Sequence, residues 1–343
     1  MGKLLIGCYS FGSSVNYGSD HTNVIAWLRG AIKELDDLRL AKTADLEKGN
    51  AFQAIFVSPE YQFTDPTAPT VRHAMDEATK GTVLSALEGL STAYKNILMF
   101  PGTVFWKQLL DTPENLQKFQ AQLVAAEMDK DKLGRKADVV DASRNLGGKN
   151  VPGLKDLAQI VKVASTGYRA YNELYPFLDG KRWTPYLKNW DFKETEGATA
   201  TSQAFVPGCS AGRKDLGGFE FGMEICFDHC NGGLKAKGGE VDFHVVVSDW
   251  VNTTEANMMM KDGGYFIHAS SNIKETCVYK RTGSTKTKLT PTPAIKENQL
   301  SWWLVDVAKQ ANAVIAVSSV PKVPVITPSG KKLPPGAFKL PGF

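Results

Sequence analysis

The chain is predicted to fold as one layered α/β domain carrying a helical insertion. Three observations lead there. Apolar strand-like runs alternate with helical stretches on both sides of the middle of the chain. Short paired strands lie between those halves. A segment over 108–168, rich in Lys, Asp, Gln and Ala, interrupts the pattern. A 43% hydrophobic fraction with 10% aromatics supplies ample core for 343 residues, and no internal repeat is visible.

The elements follow in order. Residues 3–9 read as a first strand. Residues 21–39 read as a helix, because Val24, Ile25, Trp27, Leu28, Ile32 and Leu35 fall near helical spacing. Residues 51–57 form a buried strand ending at Ser58-Pro59-Glu60, and a helix covers roughly 78–94. Ile97 to Phe100 and Thr103 to Trp106 are short strands broken by Pro101-Gly102. After the insertion, regular order resumes from Tyr168 to Leu178, followed by the turn Asp179-Gly180 and a short strand reaching Lys188. Residues 194–217 are small, polar and glycine-containing, hence a loop. A strand then runs into Cys226, a helix lies near 229–237, and a strand spans Val241 to Ser248. A helix is expected over 254–262, with strands over Tyr265 to Ser270 and Thr276 to Lys280. Leu300 to Ala311 reads as helical and Ala313 to Ser319 as the last strand. The Pro/Gly/Lys-rich stretch 321–343 is a tail.

Composition narrows the function. Forty Lys+Arg against 36 Asp+Glu leave a formal charge of +4, too small and scattered for nucleic acid or an anionic membrane surface. No apolar run approaches the roughly 18 residues of a transmembrane helix. The apolar start Met1–Cys8 is too short for a secretory signal, and Ile6 breaks the myristoylation pattern. Five cysteines, an odd count at irregular spacing, suit a reducing compartment, and a cytoplasmic location is expected. Cys226-x-x-His229-Cys230 lacks the second Cys/His pair of a zinc site, so no metal is expected.

The most informative stretch is Gly218 to His229. An alternating apolar run ends at Cys226 and turns polar at once, which places a thiol at the C-terminal end of a strand, where α/β sheets hold their chemistry. A thiol there can act as a covalent nucleophile if its proton is taken up nearby. Two strand ends offer partners: a carboxylate at Glu60 and an ammonium at Lys188. Alone, each has a plainer reading, as a core cysteine, a solvated carboxylate and a surface lysine.

Together these residues resemble the nitrilase, or carbon–nitrogen hydrolase, superfamily. Pro59-Glu60 is similar to its glutamate motif, Gly180 to Lys188 to its lysine motif with Tyr186-x-Lys188, and Gly222 to Asp228 to its cysteine motif. Val245 to Trp250 and Phe266 to Asn272 are weaker echoes. The three main motifs stand in the family's order, each at a strand end.

That resemblance implies a four-layer α-β-β-α sandwich over 1–320, pairing into a homodimer or higher homo-oligomer. It implies a thiol hydrolase acting on a small-molecule amide, carbamoyl compound or nitrile, amide being favoured, with no cofactor. Glu60, Lys188 and Cys226 would form the triad, with Lys188 favouring the thiolate and the Phe227 N–H as an oxyanion donor. A further glutamate past the lysine would position the substrate: Glu194 or Glu196, the latter preferred for spacing. Tyr61 and Trp250 are candidates for an aromatic wall. Asp228 is expected to cap the helix after the cysteine, Cys230 to be packed, and His229 and His268 to be structural. Specificity is expected in loops near 61–70, 108–168, 194–217 and 250–262. Two alternatives stay open: an acyltransferase using the same triad, and a catalytically silent interaction or effector protein.

Overall fold

The computed structural model describes residues 2–11, 20–65, 67, 73–109, 168–190, 203–205, 208, 210, 212–236 and 239–307. The first half contains β1 (Gly2–Ser10), α1 (His21–Ala41), β2 (Ala54–Val57), α2 (Glu77–Ala93), β3 (Ile97–Phe100) and β4 (Thr103–Leu109). Next come β5 (Tyr168–Leu174), β6 (Phe177–Leu178), β7 (Lys181–Arg182), β8 (Tyr186–Leu187), β9 (Gln203–Phe205) and β10 (Arg213–Leu216). Then follow β11 (Phe219–Ile225), α3 (Phe227–Cys230), α4 (Gly233–Ala236), β12 (Val241–Ser248), β13 (Met260–Ser270), β14 (Cys277–Thr282), β15 (Thr285–Lys288) and β16 (Gln299–Val307).

Two six-stranded sheets carry the architecture, ordered β16-β1-β2-β3-β6-β7 and β10-β11-β12-β13-β14-β15. β1, β2 and β3 run parallel, as do β11, β12 and β13, and antiparallel strands flank each trio. A smaller sheet, β4-β5-β8, lies beside them, with β9 paired to β5. Parallel strands are covered on both faces, so they read as continuous apolar runs. In the first sheet Leu4, Ile6, Ile55, Val57, Leu98 and Phe100 point toward the second sheet. There they meet Phe221, Met223, Ile225, Val245, Val247 and Ile267 in one buried cluster. The alternate residues Leu5, Ala54, Phe56, Ile97 and Met99 face the helices.

α1 buries Val24, Ile25, Leu28, Ala31, Ile32 and Leu35 on this face, and α2 buries Val83, Leu84, Leu87 and Leu90. Each buried leucine contributes about 1.5–3 kcal/mol relative to exposure. Asp20 caps α1 by accepting from the Thr22 N–H at 2.7 Å, and Asp76 caps α2 by accepting from the Thr79 N–H at 2.7 Å. Such caps contribute about 1 kcal/mol each. Among the described residues, the outer face of the second sheet is covered by the one-turn helices α3 and α4 and by the stretch leading to Met258 and Met260. Gly222 allows the close approach of α4, since a Cβ there would lie 2.2 Å from Leu234 Cδ2.

Several expectations from sequence are corrected. Residues Gln299–Val307 are an edge strand antiparallel to β1, not a helix. Leu300, Trp302 and Leu304 pack toward the helices while Trp303, Val305 and Val307 enter the inter-sheet core. A strand that is apolar on both faces has no alternation left to betray it. The helix expected over 254–262 is a single 3-10 turn at Glu255–Asn257, after which β13 begins at Met260, earlier than expected. The helix near 229–237 is two short turns, α3 and α4, divided at Gly232. The loop expected over 194–217 includes β9 and β10. The body of the insertion, the strand expected at 313–319 and the tail lie outside the described residues. No helix among the described residues is long and apolar enough to cross a membrane.

Candidate active site

The three residues singled out by sequence come from three different sheets and meet. Glu60 follows β2 of the first sheet, Lys188 follows β8 of the small sheet, and Cys226 follows β11 of the second sheet. Lys188 Nζ donates to Glu60 Oε1 at 2.8 Å, and both side chains are fully buried. The charges of Glu60 and Lys188 act on the Cys226 thiol in opposite senses. One carboxylate thus faces both the thiol and the cation.

Local backbone geometry aims these groups. Cys226 has φ 50° and ψ −106°, a left-handed conformation unusual for a residue with a side chain. Its N–H donates to Val247 O at 2.9 Å and its carbonyl accepts from the His229 N–H at 3.0 Å, which hold the turn. Such strain, of order 1–3 kcal/mol, lifts a nucleophile out of its strand and toward its partners. Tyr61, directly after Glu60, is also left-handed at φ 57°, with its N–H on Thr103 Oγ1 at 2.9 Å. The turn that presents Glu60 packs closely against Gly102, where a Cβ would lie 2.3 Å from the Pro59 carbonyl oxygen.

Glu60 is held at both oxygens. Oε1 accepts from Asn172 Nδ2 at 2.9 Å as well as from Lys188, and Oε2 accepts from the Asp249 N–H at 3.2 Å. The Glu60 N–H reaches Ser248 O at 3.4 Å, tying this turn to the end of β12. Asn172 and the Asp249 amide were not among the residues expected. The Tyr171-Asn172 pair after the insertion was the available signal.

Electrostatics set the resting protonation. Burial pushes the Cys226 thiol well above its ordinary value of 9.0, and the negative charge of Glu60 adds to this. Lys188 and the Asp249 N–H pull the other way and lose. Burial and Glu60 thus favour the neutral thiol, while Lys188 pulls toward the thiolate, the sense expected of it. Burial alone would push Lys188 down, but Glu60 and then Cys226 and Asp228 outweigh it, so the ammonium is held above 10.5. Among the described residues, the site is an ion pair beside a thiol, with the Glu60 carboxylate placed to take its proton.

The other expected residues divide. Tyr61 is buried, with its ring 5.6 Å from Lys188 Nζ and edge-on to Phe105. Trp250 follows Asp249 and is 60% exposed, so it packs in no core. Phe227 is the first residue of α3, one peptide bond beyond the nucleophile. Glu194 and Glu196 lie outside the described residues, as does Cys209. Asp228 does not cap α3, whose capping position is Cys226 with no side-chain cap bond. Its carboxylate is taken up by the lysine segment instead. Burial pushes the Asp228 carboxyl up to about 7, against the bond from Tyr186 and the charge of Lys188. Cys230 is exposed rather than packed, while Cys8 and Cys277 are buried, with burial pushing Cys277 up to about 11.

Behind the nucleophile, on the outer face of the second sheet, Glu224 Oε2 accepts from His229 Nδ1 and His244 Nε2, both at 2.9 Å. Three such side chains within 4.8 Å could suggest a metal site. The outer nitrogens decide otherwise. His229 Nε2 accepts the Thr254 N–H at 3.2 Å and His244 Nδ1 accepts the Met259 N–H at 3.1 Å. An amide can only donate, so both inward nitrogens carry protons and neither can bind a cation. Burial would push Glu224 up, but bonds from the two histidines hold it down at about 2. His268 is likewise enclosed, between Ser248 Oγ at 2.7 Å and Thr253 Oγ1 at 2.9 Å. His229 and His268 are structural, as expected.

No protein-family model matches the chain, and no curated protein matches it. Solved structures do. One is a CN-hydrolase superfamily protein from Xanthomonas campestris with an arsenic adduct in its active site. It is 9% identical, covering 90% of this chain and 92% of that one, with a TM-score of 0.47. A mutant amidase from Nesterenkonia sp. AN1 in complex with butyramide is 11% identical over 89% of this chain and 90% of that one, with a TM-score of 0.44. A glutamine-dependent NAD(+) synthetase from Cytophaga hutchinsonii is 11% identical over 89% of this chain and 43% of that one, with a TM-score of 0.40.

Proposed function

We propose that the chain is a thiol hydrolase that cleaves a non-peptide carbon–nitrogen bond, an amide being favoured over a nitrile, through a thioester on Cys226. The observation that carries this reading is the Glu60 carboxylate, which bonds Lys188 Nζ at 2.8 Å and whose charge acts on the Cys226 thiol.

In the first half-reaction, Sγ attacks the substrate carbonyl carbon while its proton passes to Glu60. The buried thiol ionises only as the C–S bond forms, so Glu60 acts as general base within the same step. The electron pair displaced onto the carbonyl oxygen is stabilised by the Lys188 ammonium and the Phe227 N–H. Collapse expels the amine, which takes the proton back from Glu60. In the second half, Glu60 removes a proton from water attacking the thioester, and the thiol is re-formed. An ammonium already fixed by Glu60 need not reorganise as negative charge develops, so its effect falls on the transition state.

The test is intact mass spectrometry and ammonia release for the wild type and Cys226→Ala, after incubation with a panel of amides, carbamoyl compounds and nitriles. A thioester adduct or ammonia that requires Cys226 supports the reading. Ammonia release that persists without Cys226 would overturn it.

A further inference from the structure

We propose that Asp228 is the positioning residue for Lys188, a clamp that joins the lysine segment to the nucleophile turn. The inference rests on the reading of Glu60, Lys188 and Cys226 as one catalytic unit and extends it to a fourth side chain.

The geometry is specific. The Asp228 carboxylate accepts the Tyr186 hydroxyl at 2.7 Å, two residues before Lys188. It also accepts the Asn189 N–H at 3.0 Å and the Trp190 N–H at 2.8 Å, one and two residues after it. Asn189 Nδ2 closes the ring by donating to the Tyr186 oxygen at 3.0 Å. One buried carboxylate therefore holds the chain on both sides of the lysine. Lys188 itself is fixed through its N–H to Asn172 O at 2.9 Å and its carbonyl from the Gly208 N–H at 2.7 Å.

Asp228 lies two residues beyond Cys226, so the clamp refers the ammonium directly to the sulphur's own turn. A displacement of about 1 Å between reacting groups can cost roughly a hundredfold in rate, which is what such a brace prevents. In the wild type every partner of Asp228 donates to it. Asp228→Asn removes the charge and leaves one NH2 that only the Tyr186 hydroxyl can receive, by giving up its own donated bond, so it weakens the clamp without changing its size.

The clamp and a plain charge effect predict opposite signs, which permits a test that needs no substrate. Lys188 lowers the pKa of Cys226. Releasing Lys188 therefore leaves less thiolate, and alkylation slows. If Asp228 acted only through its negative charge, removing it would leave more thiolate, and alkylation would quicken. General loosening of the fold would also quicken it, by exposing a buried sulphur.

The experiment measures iodoacetamide labelling of the Cys226 peptide at about pH 8, above the range in which Asp228 takes up a proton. Fragment-ion spectra of that peptide separate Cys226 from the exposed Cys230, four residues on. Full-length wild type, Asp228→Asn, Tyr186→Phe and Lys188→Gln are compared, with thermal melting of each. The clamp predicts labelling about three- to tenfold slower in Asp228→Asn and Tyr186→Phe, and at least as slow in Lys188→Gln, since one pKa unit is tenfold in thiolate. Unchanged labelling in Tyr186→Phe, or faster labelling in Asp228→Asn, overturns the clamp. Unchanged labelling in Lys188→Gln overturns the catalytic unit itself, and the clamp with it. If Asp228→Asn fails to fold, Tyr186→Phe decides, because it removes one hydroxyl and no charge.

Discussion

Lys188 Nζ and Glu60 Oε1 are 2.8 Å apart with both side chains shut away from solvent, and the residues stand 128 positions apart in the chain. A buried pair of this kind gains little over an apolar replacement, yet losing one member leaves a bare charge indoors. The pair therefore ties local stability to the same two groups that the proposed chemistry uses.

Glu60→Gln should be destabilised by about 3–5 kcal/mol near neutral pH, because the Lys188 ammonium loses its counter-charge. In the wild type the raised Lys188 pKa means its contribution is complete below 10.5 and fades as pH rises past that value. In the variant only the charges of Cys226 and Asp228 still oppose burial, which is expected to depress it. The unfolded state then binds the extra proton, and stability climbs with pH instead. Urea unfolding of both proteins across the neutral and alkaline range checks this. Parallel curves for the two would remove the ion pair from the account.

Acid should destabilise the fold in two stages. Burial, reinforced by the neighbouring histidines, holds His268 well below 6.5, and burial also holds His244 below it. Unfolded histidines take up protons that the folded ones refuse, so stability falls as pH drops below 6.5. Glu224, held at about 2 against an ordinary 4.5, contributes fully above 4.5 and loses that contribution as pH falls toward 2. Urea midpoints against pH should show a shallower decline below 6.5 for His268→Gln. Glu224→Gln should flatten the more acidic stage.

Chelation should change nothing. Because the Thr254 and Met259 amides point at the outer ring nitrogens, His229 and His244 turn protonated nitrogens toward Glu224. Dialysis against a strong chelator should leave the melting temperature and Cys226 labelling as they were, and one equivalent of zinc should not raise the melting temperature. A zinc-dependent rise of several degrees, absent in His244→Gln, would show that the amides yield to a cation.

Asn172 should matter to rate more than to binding. Its Nδ2 donates to Glu60 Oε1 at 2.9 Å, on the oxygen that also holds Lys188, while its own Oδ1 has no hydrogen-bond partner among the described residues. Asn172→Ala frees the base to rotate and should lower kcat about tenfold with little change in KM. Steady-state kinetics on the first amide found to turn over measures the split. A loss confined to KM would assign Asn172 to substrate binding instead.

Much of the fold was legible because the elements that carry it have one clear period. α1 and α2 show helical stripes, and β2, β3, β11 and β12 are short apolar runs bounded by turns. Illegible elements lacked that contrast. β16 is apolar on both faces and resembles a helix in sequence, and β10 hides among small and polar residues at a sheet edge. Of the site, Glu60, Lys188 and Cys226 could be read because each ends a strand with an abrupt change of polarity. Asn172 carried only the weak signal of the Tyr171-Asn172 pair, and the role of Asp228 carried none, since a buried aspartate looks in sequence like any turn or cap residue.

By itself, then, the sequence determined the layered α/β class and the strand ends that hold a thiol, a carboxylate and an ammonium. Periodicity and turn residues are local signals, and local signals report which residues share a face. The tertiary structure alone decided that those three groups come together, that burial opposes ionisation of the thiol, and that Asp228 bonds the lysine segment rather than capping its own helix. Each of these depends on three sheets packing together and on the water excluded between them. Contacts across 128 residues and the dielectric around a buried sulphur are written in no stretch of local sequence.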